Sequence, residues 1–102
     1  MVVDTFNHFQ IFDEKGTFLR AFGSKGNGNG ELDRPYDVVV DQQGNYVVAD
    51  GWNHRIQIFN SQGQFVRKFG SEGAGKGRIN CPIGVGVLSN GNIVIAENGG
   101  HR

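Results

Sequence analysis

The chain has 102 residues, among them 17 Gly, 2 Pro, 1 Cys and 8 Phe, and its 10 Lys and Arg balance 10 Asp and Glu. That length allows at most one small domain, and the aromatic content excludes low-complexity disorder, which lacks the side chains for a core. No run approaches the ~20 apolar residues of a membrane helix, and zero net charge argues against a function driven by phosphate neutralisation.

In chain order the sequence reads as strands. The start, Met1-Val2-Val3-Asp4, shows neither the basic region nor the apolar stretch of a signal peptide. Phe9-Gln10-Ile11-Phe12 supplies a first strand. Gly23, Gly26, Gly28 and Gly30 read as positive-φ positions of a connection. After Pro35 come an apolar strand at 38–40, a turn at 42–45 and a second strand at 46–50. The polar turn 51–54 leads to Arg55-Ile56-Gln57-Ile58-Phe59, whose period-two alternation puts Ile56 and Ile58 on one face. A turn at 60–63 and a strand at 64–69 follow, then a glycine loop at 70–77, with Gly70, Gly73, Gly75 and Gly77 matching the first set. Pro82 restarts the cycle, and Gly84-Val85-Gly86-Val87 is a strand in which Gly permits close approach at a crowded axis.

The cycle has a fixed period. Gln10-Ile11-Phe12 returns as Gln57-Ile58-Phe59, Phe22-Gly23-Ser24 as Phe69-Gly70-Ser71, Pro35 as Pro82 and His54-Arg55 as His101-Arg102. The offset is 47, and 21 of the 47 positions from Phe9 to Arg55 are identical in the second copy. Before Phe9 the motif Asn7-His8 lines up with Asn53-His54 only if one residue is missing. Four short strands per unit at this spacing describe the blade of a β-propeller. The fold expected is therefore all-β, with blades of four antiparallel strands and about two blades per chain. Residues 1–33 form a partial blade of outer strands, 34–80 a complete blade and 81–102 a partial blade of inner strands.

Several features invite chemistry. Gly70 to Gly77 nearly spells a phosphate-binding loop, but Gly77 stands where the magnesium-binding hydroxyl belongs and no helix follows. His8, His54 and His101 recur once per unit, yet neighbours lie a blade apart, so a structural role is expected, the imidazole bonding a turn carbonyl. Asp50 and Asn53 likewise read as turn residues bonding nearby amides. The single Cys81 has no His/Asp arrangement around it and reads as structural. It also fits a reducing compartment, which makes the cytoplasm the expected location. No catalytic residue, metal or cofactor is expected.

The order Pro-x-x-Val-x-Val, Gly44-Asn45-Tyr46-Val47-Val48-Ala49-Asp50, Asn53-His54-Arg55 and Phe69-Gly70-Ser71 resembles the NHL repeat, and the long glycine loops resemble those of tripartite-motif (TRIM) NHL ubiquitin ligases. The resemblance implies a six-bladed domain that recognises protein or RNA, with ubiquitin transfer in a separate zinc-binding RING. None of the RING's Cys/His spacing occurs here, so no ligase activity is expected. The third copy departs from the motif at Glu97-Asn98-Gly99-Gly100-His101.

A non-enzymatic interaction module is thus the leading expectation, and balanced charge prefers a protein partner over RNA. A metal-dependent propeller lyase or hydrolase is the alternative, and a purely structural, self-assembling or engineered blade pair is a third. The face formed by the turn between strands two and three and by the inter-blade loop carries Arg34, Tyr36, Trp52, Asn53, Arg55, Arg78 and Asn80 as partner-binding candidates. Trp52 is either exposed there or packed between blades. Arg20, Arg67 and Lys68 read as a solvated outer edge. Phe9 to Arg102 spans 94 residues, two periods of 47, so the chain is expected to pair with itself head to tail as a homotrimer of six blades.

Overall fold

The computed structural model describes residues 2–5, 7–73 and 75–98. Eleven strands follow in order: β1 (Val2–Thr5), β2 (His8–Phe12), β3 (Phe18–Phe22), β4 (Ser24–Lys25), β5 (Glu31–Leu32), β6 (Pro35–Val40), β7 (Tyr46–Asp50), β8 (Arg55–Phe59), β9 (Phe65–Phe69), β10 (Pro82–Val87) and β11 (Ile93–Glu97). Strands β6-β7-β8-β9 make one antiparallel four-stranded sheet, flanked by a three-stranded sheet β1-β2-β3 and a pair β10-β11. This is the all-β, four-strand blade architecture that the alternation and turn spacing dictate.

Three of the strand-to-strand turns are fixed by their own side chains. Asp13, Asp41 and Asn60 each accept two backbone N–H groups through Oδ1, from residues two and four positions on, at 2.9–3.0 Å. These bonds satisfy amides that the turn would otherwise leave bare, which is why Asp and Asn suit those positions.

The central sheet buries both faces. Toward the first sheet, Tyr46, Val48 and Phe59 pack with Phe9, Ile11, Phe22 and Leu32. Phe22 lies 5.2 Å from Tyr46 and 4.8 Å from Phe59 by ring centroids, contacts worth about 0.5–1.5 kcal/mol each beyond their burial. Toward the third sheet, Val47, Ala49, Ile56 and Ile58 pack with Ile79 and Val85. Alternation in β7 and β8 therefore feeds two cores instead of one core and a wet face, and all ten of their residues are buried.

Some expectations need correction. Of the glycines in the two connections, Gly28 does not have positive φ; its N–H is instead held by Glu31 Oε1 at 2.8 Å. Gly84 and Gly86 are not forced by crowding within the described residues. A Cβ on Gly84 would meet Ala96 at an ordinary 3.5 Å, and one on Gly86 would meet nothing within 4 Å. The deletion before Phe9 is also larger than one residue. Thr5 pairs with His8 where Asp50 pairs with Arg55, so two positions replace four in that turn.

Candidate functional site

The turn between β7 and β8 is a single 3-10 turn, Gly51–Asn53, closed by His54 in the left-handed conformation at φ 55°. Behind it comes a glycine loop, residues 26–33, and the two are bound together by one buried polar network. Asp50 is fully buried and Arg55 nearly so, with Arg55 Nε donating to Asp50 Oδ2 at 2.8 Å. Nη1 donates to the carbonyl of Asn27, and Nη2 to those of Gly28 and Glu31. Gln57 donates to the Glu31 carbonyl and accepts the Gly30 N–H. Asp50 Oδ1 accepts the Asp33 N–H at 2.8 Å, and Asn53 donates to the Gly26 carbonyl and to Asp50 Oδ2. No buried side-chain polar atom among the described residues lacks a partner. A planar fork of fixed donors suits such a ring of carbonyls better than a point charge would.

Arg55 is therefore not the surface residue expected of it: its fork is taken up by the loop, whose inward-facing carbonyls need buried donors. Asn53 is half-buried in the same network, so it donates to a distant carbonyl where a local amide contact was expected. Asp50 also reaches 17 residues away instead of bonding a nearby amide. Asn80 is committed to its own loop, accepting the Gly73 N–H at 3.0 Å and donating to the Gly73 carbonyl at 2.6 Å. Arg78 is exposed and donates to Ser71 Oγ.

Three of the seven candidates converge. Trp52 is 51% exposed and Tyr36 47% exposed. Trp52 Nε1 donates to the Tyr36 hydroxyl at 3.3 Å, and the Arg34 guanidinium carbon lies 4.1 Å from the Trp52 ring centroid. Arg34 reaches that place because it takes φ 52°, a left-handed conformation just before Pro35. Gly51 makes the packing possible: a Cβ there would lie 2.3 Å from the Tyr36 ring and 2.8 Å from the Arg34 carbonyl. Trp52 is thus half-exposed beside Tyr36 and Arg34 among the described residues.

Beside this cluster an open cleft of about 480 Å³ is lined by Trp52, His54, Lys68 and Glu72, among others. Lys68 therefore faces the loop side and not only the outer edge. Arg20, half-exposed on its outer strand, also donates from Nη1 to the Ser61 carbonyl of the neighbouring turn at 3.2 Å, a solvent-exposed contact. Arg67 is exposed. His54 was expected to donate to a carbonyl; instead its Nδ1 accepts the Cys81 N–H at 2.9 Å. The reason is Cys81 at φ 47°, which turns that amide out of the strand ladder toward the ring. His101 lies outside the described residues. Among the described residues no three His, Cys, Asp or Glu side chains gather as a metal site. The left-handed Arg34, His54 and Cys81 escaped the sequence reading, although Arg34 and Cys81 share the 47-residue offset and each precedes a proline.

Comparison with known proteins agrees with this geometry. Residues 32–59 match the NHL repeat model. Protein lin-41 of Caenorhabditis elegans is 50% identical over 42 residues, 41% of this chain and 4% of that protein. E3 ubiquitin-protein ligase TRIM71 is 49% identical over 41 residues in Rattus norvegicus, 40% of this chain and 5% of that protein. In Mus musculus it is 53% identical over 36 residues, 35% of this chain and 4% of that protein. The matched region is thus a small fraction of each relative's length. A matching repeat, a four-stranded antiparallel sheet and the sequence shared with lin-41 and TRIM71 converge: the chain is all-β and carries an NHL repeat over residues 32–59, in keeping with the blades of a β-propeller.

Proposed function

We propose that the chain is a non-enzymatic recognition module, and that the face carrying Arg34, Tyr36 and Trp52 binds a protein partner. The observation behind this is the exposed Trp52, held in one orientation by the Tyr36 hydroxyl and the Arg34 guanidinium. A Trp, a Tyr and an Arg presented together, already ordered, are the composition that carries most of the energy at protein interfaces. The ligase named in the TRIM71 relatives is a much longer protein, and we assign its recognition side, not its catalysis, to this chain.

Trp52 is the single tryptophan, so its emission reports directly on occupancy of the face. Peptides selected from a displayed random library against the folded chain should quench or shift that emission. Arg34→Ala and Trp52→Ala should each weaken binding of the selected peptides by about 1–3 kcal/mol, while Arg67→Ala should change little. A scan in which Arg67 dominates would sink the assignment. Single-stranded RNA oligomers binding the same face, with affinity falling steeply as salt rises, would move it to RNA instead.

A further inference from the structure

The 47-residue period holds at the level of individual contacts. A Cβ on Gly23 would strike Leu32 Cδ1 at 2.7 Å, and one on Gly70 would strike Ile79 Cδ1 at 2.4 Å. Asp50 accepts the Asp33 N–H at 2.8 Å, and Glu97 accepts the Asn80 N–H at 2.8 Å. The ladder of β6 with β7 shifts register between Pro35 and Asp37, and that of β10 with β11 between Pro82 and Gly84. These contacts of the first connection are thus rebuilt in the second.

That regularity defines what the second connection lacks among the described residues. Loop 26–33 is closed by Gln57, which binds the Gly30 N–H and the Glu31 carbonyl. One period on, the partners are Gly77 and Arg78, and one period back from Gln57 stands Gln10 on β2. Phe22 packs on Phe59 at 4.8 Å; the corresponding pair is Phe69 with Phe12, and Phe69 is 39% exposed. Strand β7 pairs with β8, whereas among the described residues β11 pairs with β10 alone. Val94 on β11 is 52% exposed, though its counterpart Val47 is buried. The strand, the glutamine and the phenylalanine that would complete this edge are all present on β2 of the same chain. Yet β2 already lies in the first sheet of its own copy, so the chain cannot use it twice.

We propose that a second copy of this chain lays its β2–β3 hairpin along β11. Shifting the β7–β8 ladder by one period gives the register Ile93↔Phe12, Val94↔Ile11, Ile95↔Gln10, Ala96↔Phe9 and Glu97↔His8. Gln10 of the second copy then closes loop 73–80, and Phe12 of the second copy covers Phe69. The contact is head to tail, so it must close into a ring or grow into a fibre. Three copies give six blades, within the ~4–8 of closed propellers. Strand β1 occupies the place that β11 would take, pairing Val2↔Ile11, Val3↔Gln10 and Asp4↔Phe9. It is an internal competitor that assembly must displace.

Light scattering coupled to gel filtration of the 102-residue chain tests this. Three times the 11.1 kDa chain mass is expected; a folded monomer or a stable dimer overturns the proposal. Removing residues 1–6 should move assembly to lower protein concentration, and a loss of assembly on that deletion also counts against it. Phe69→Asp alters an exposed side chain, so it should yield a monomer with unchanged circular dichroism. Phe12→Asp should do the same. Mixed together, these two variants should form a one-to-one dimer that grows no further, since each retains one intact end. Retention of the trimer by Phe69→Asp would refute the register.

Discussion

Arg55 shows how much a single buried charge can organise. Its guanidinium joins the Asp50 carboxylate, 2.8 Å away, to three loop carbonyls. Removing the cation strands a carboxylate with 0% exposure. Arg55→Met should therefore destabilise the chain by about 3–5 kcal/mol, the range for breaking one side of a buried ion pair. Urea unfolding followed by Trp52 emission measures this. Arg55→Lys should recover only part of the loss, because one ammonium cannot reach carbonyls arranged for a planar fork. In the sequence Arg55 looks like a surface residue, since its acceptors come from a loop more than 20 residues away. One sign of its role was present: the acid and the arginine recur together, as Asp50 with Arg55 and as Glu97 with Arg102.

At the scale of elements, the glycine connections carry the sharpest constraints. Gly70 has φ 103° and faces Ile79 Cδ1, whereas Gly75 has φ 100° and open space. Both Gly→Ala changes strain the backbone, but only Gly70→Ala also overfills the core, so it should cost about 1–3 kcal/mol more. The difference between the two thermal midpoints isolates packing from backbone strain. Strands β7 and β8 were legible residue for residue, because period-two alternation and flanking turns leave little choice. Strand β6 begins three residues before the apolar run that announced it, since Pro35 joins the ladder across a register shift. The parallel pair β4 and β5 gave no signal. Two residues are too few to show a period, and that pairing depends on a loop folded by Arg55 and Gln57. The cluster of Arg34, Tyr36 and Trp52 was legible as composition on one face. Its separation from Asn53, Arg55 and Asn80 was not, because it turns on which side chains find buried acceptors.

For the molecule as a whole, the layering of the sheets has a consequence for how the chain breathes. The central sheet is the one described sheet with a core on each side, whereas among the described residues β11 pairs with β10 alone and Val94 is exposed. Opening should therefore begin at β11 and reach β7 and β8 last, since local stability follows buried contact. In deuterated water the backbone amides of residues 46–50 and 55–59 should be the slowest to exchange and those of 93–97 among the fastest. A uniform rate along the chain would mean that the three sheets melt as one. If copies join through β11, its outward-facing amides should slow as protein concentration rises while those of β7 stay unchanged, so one strand would act as a built-in clock for assembly.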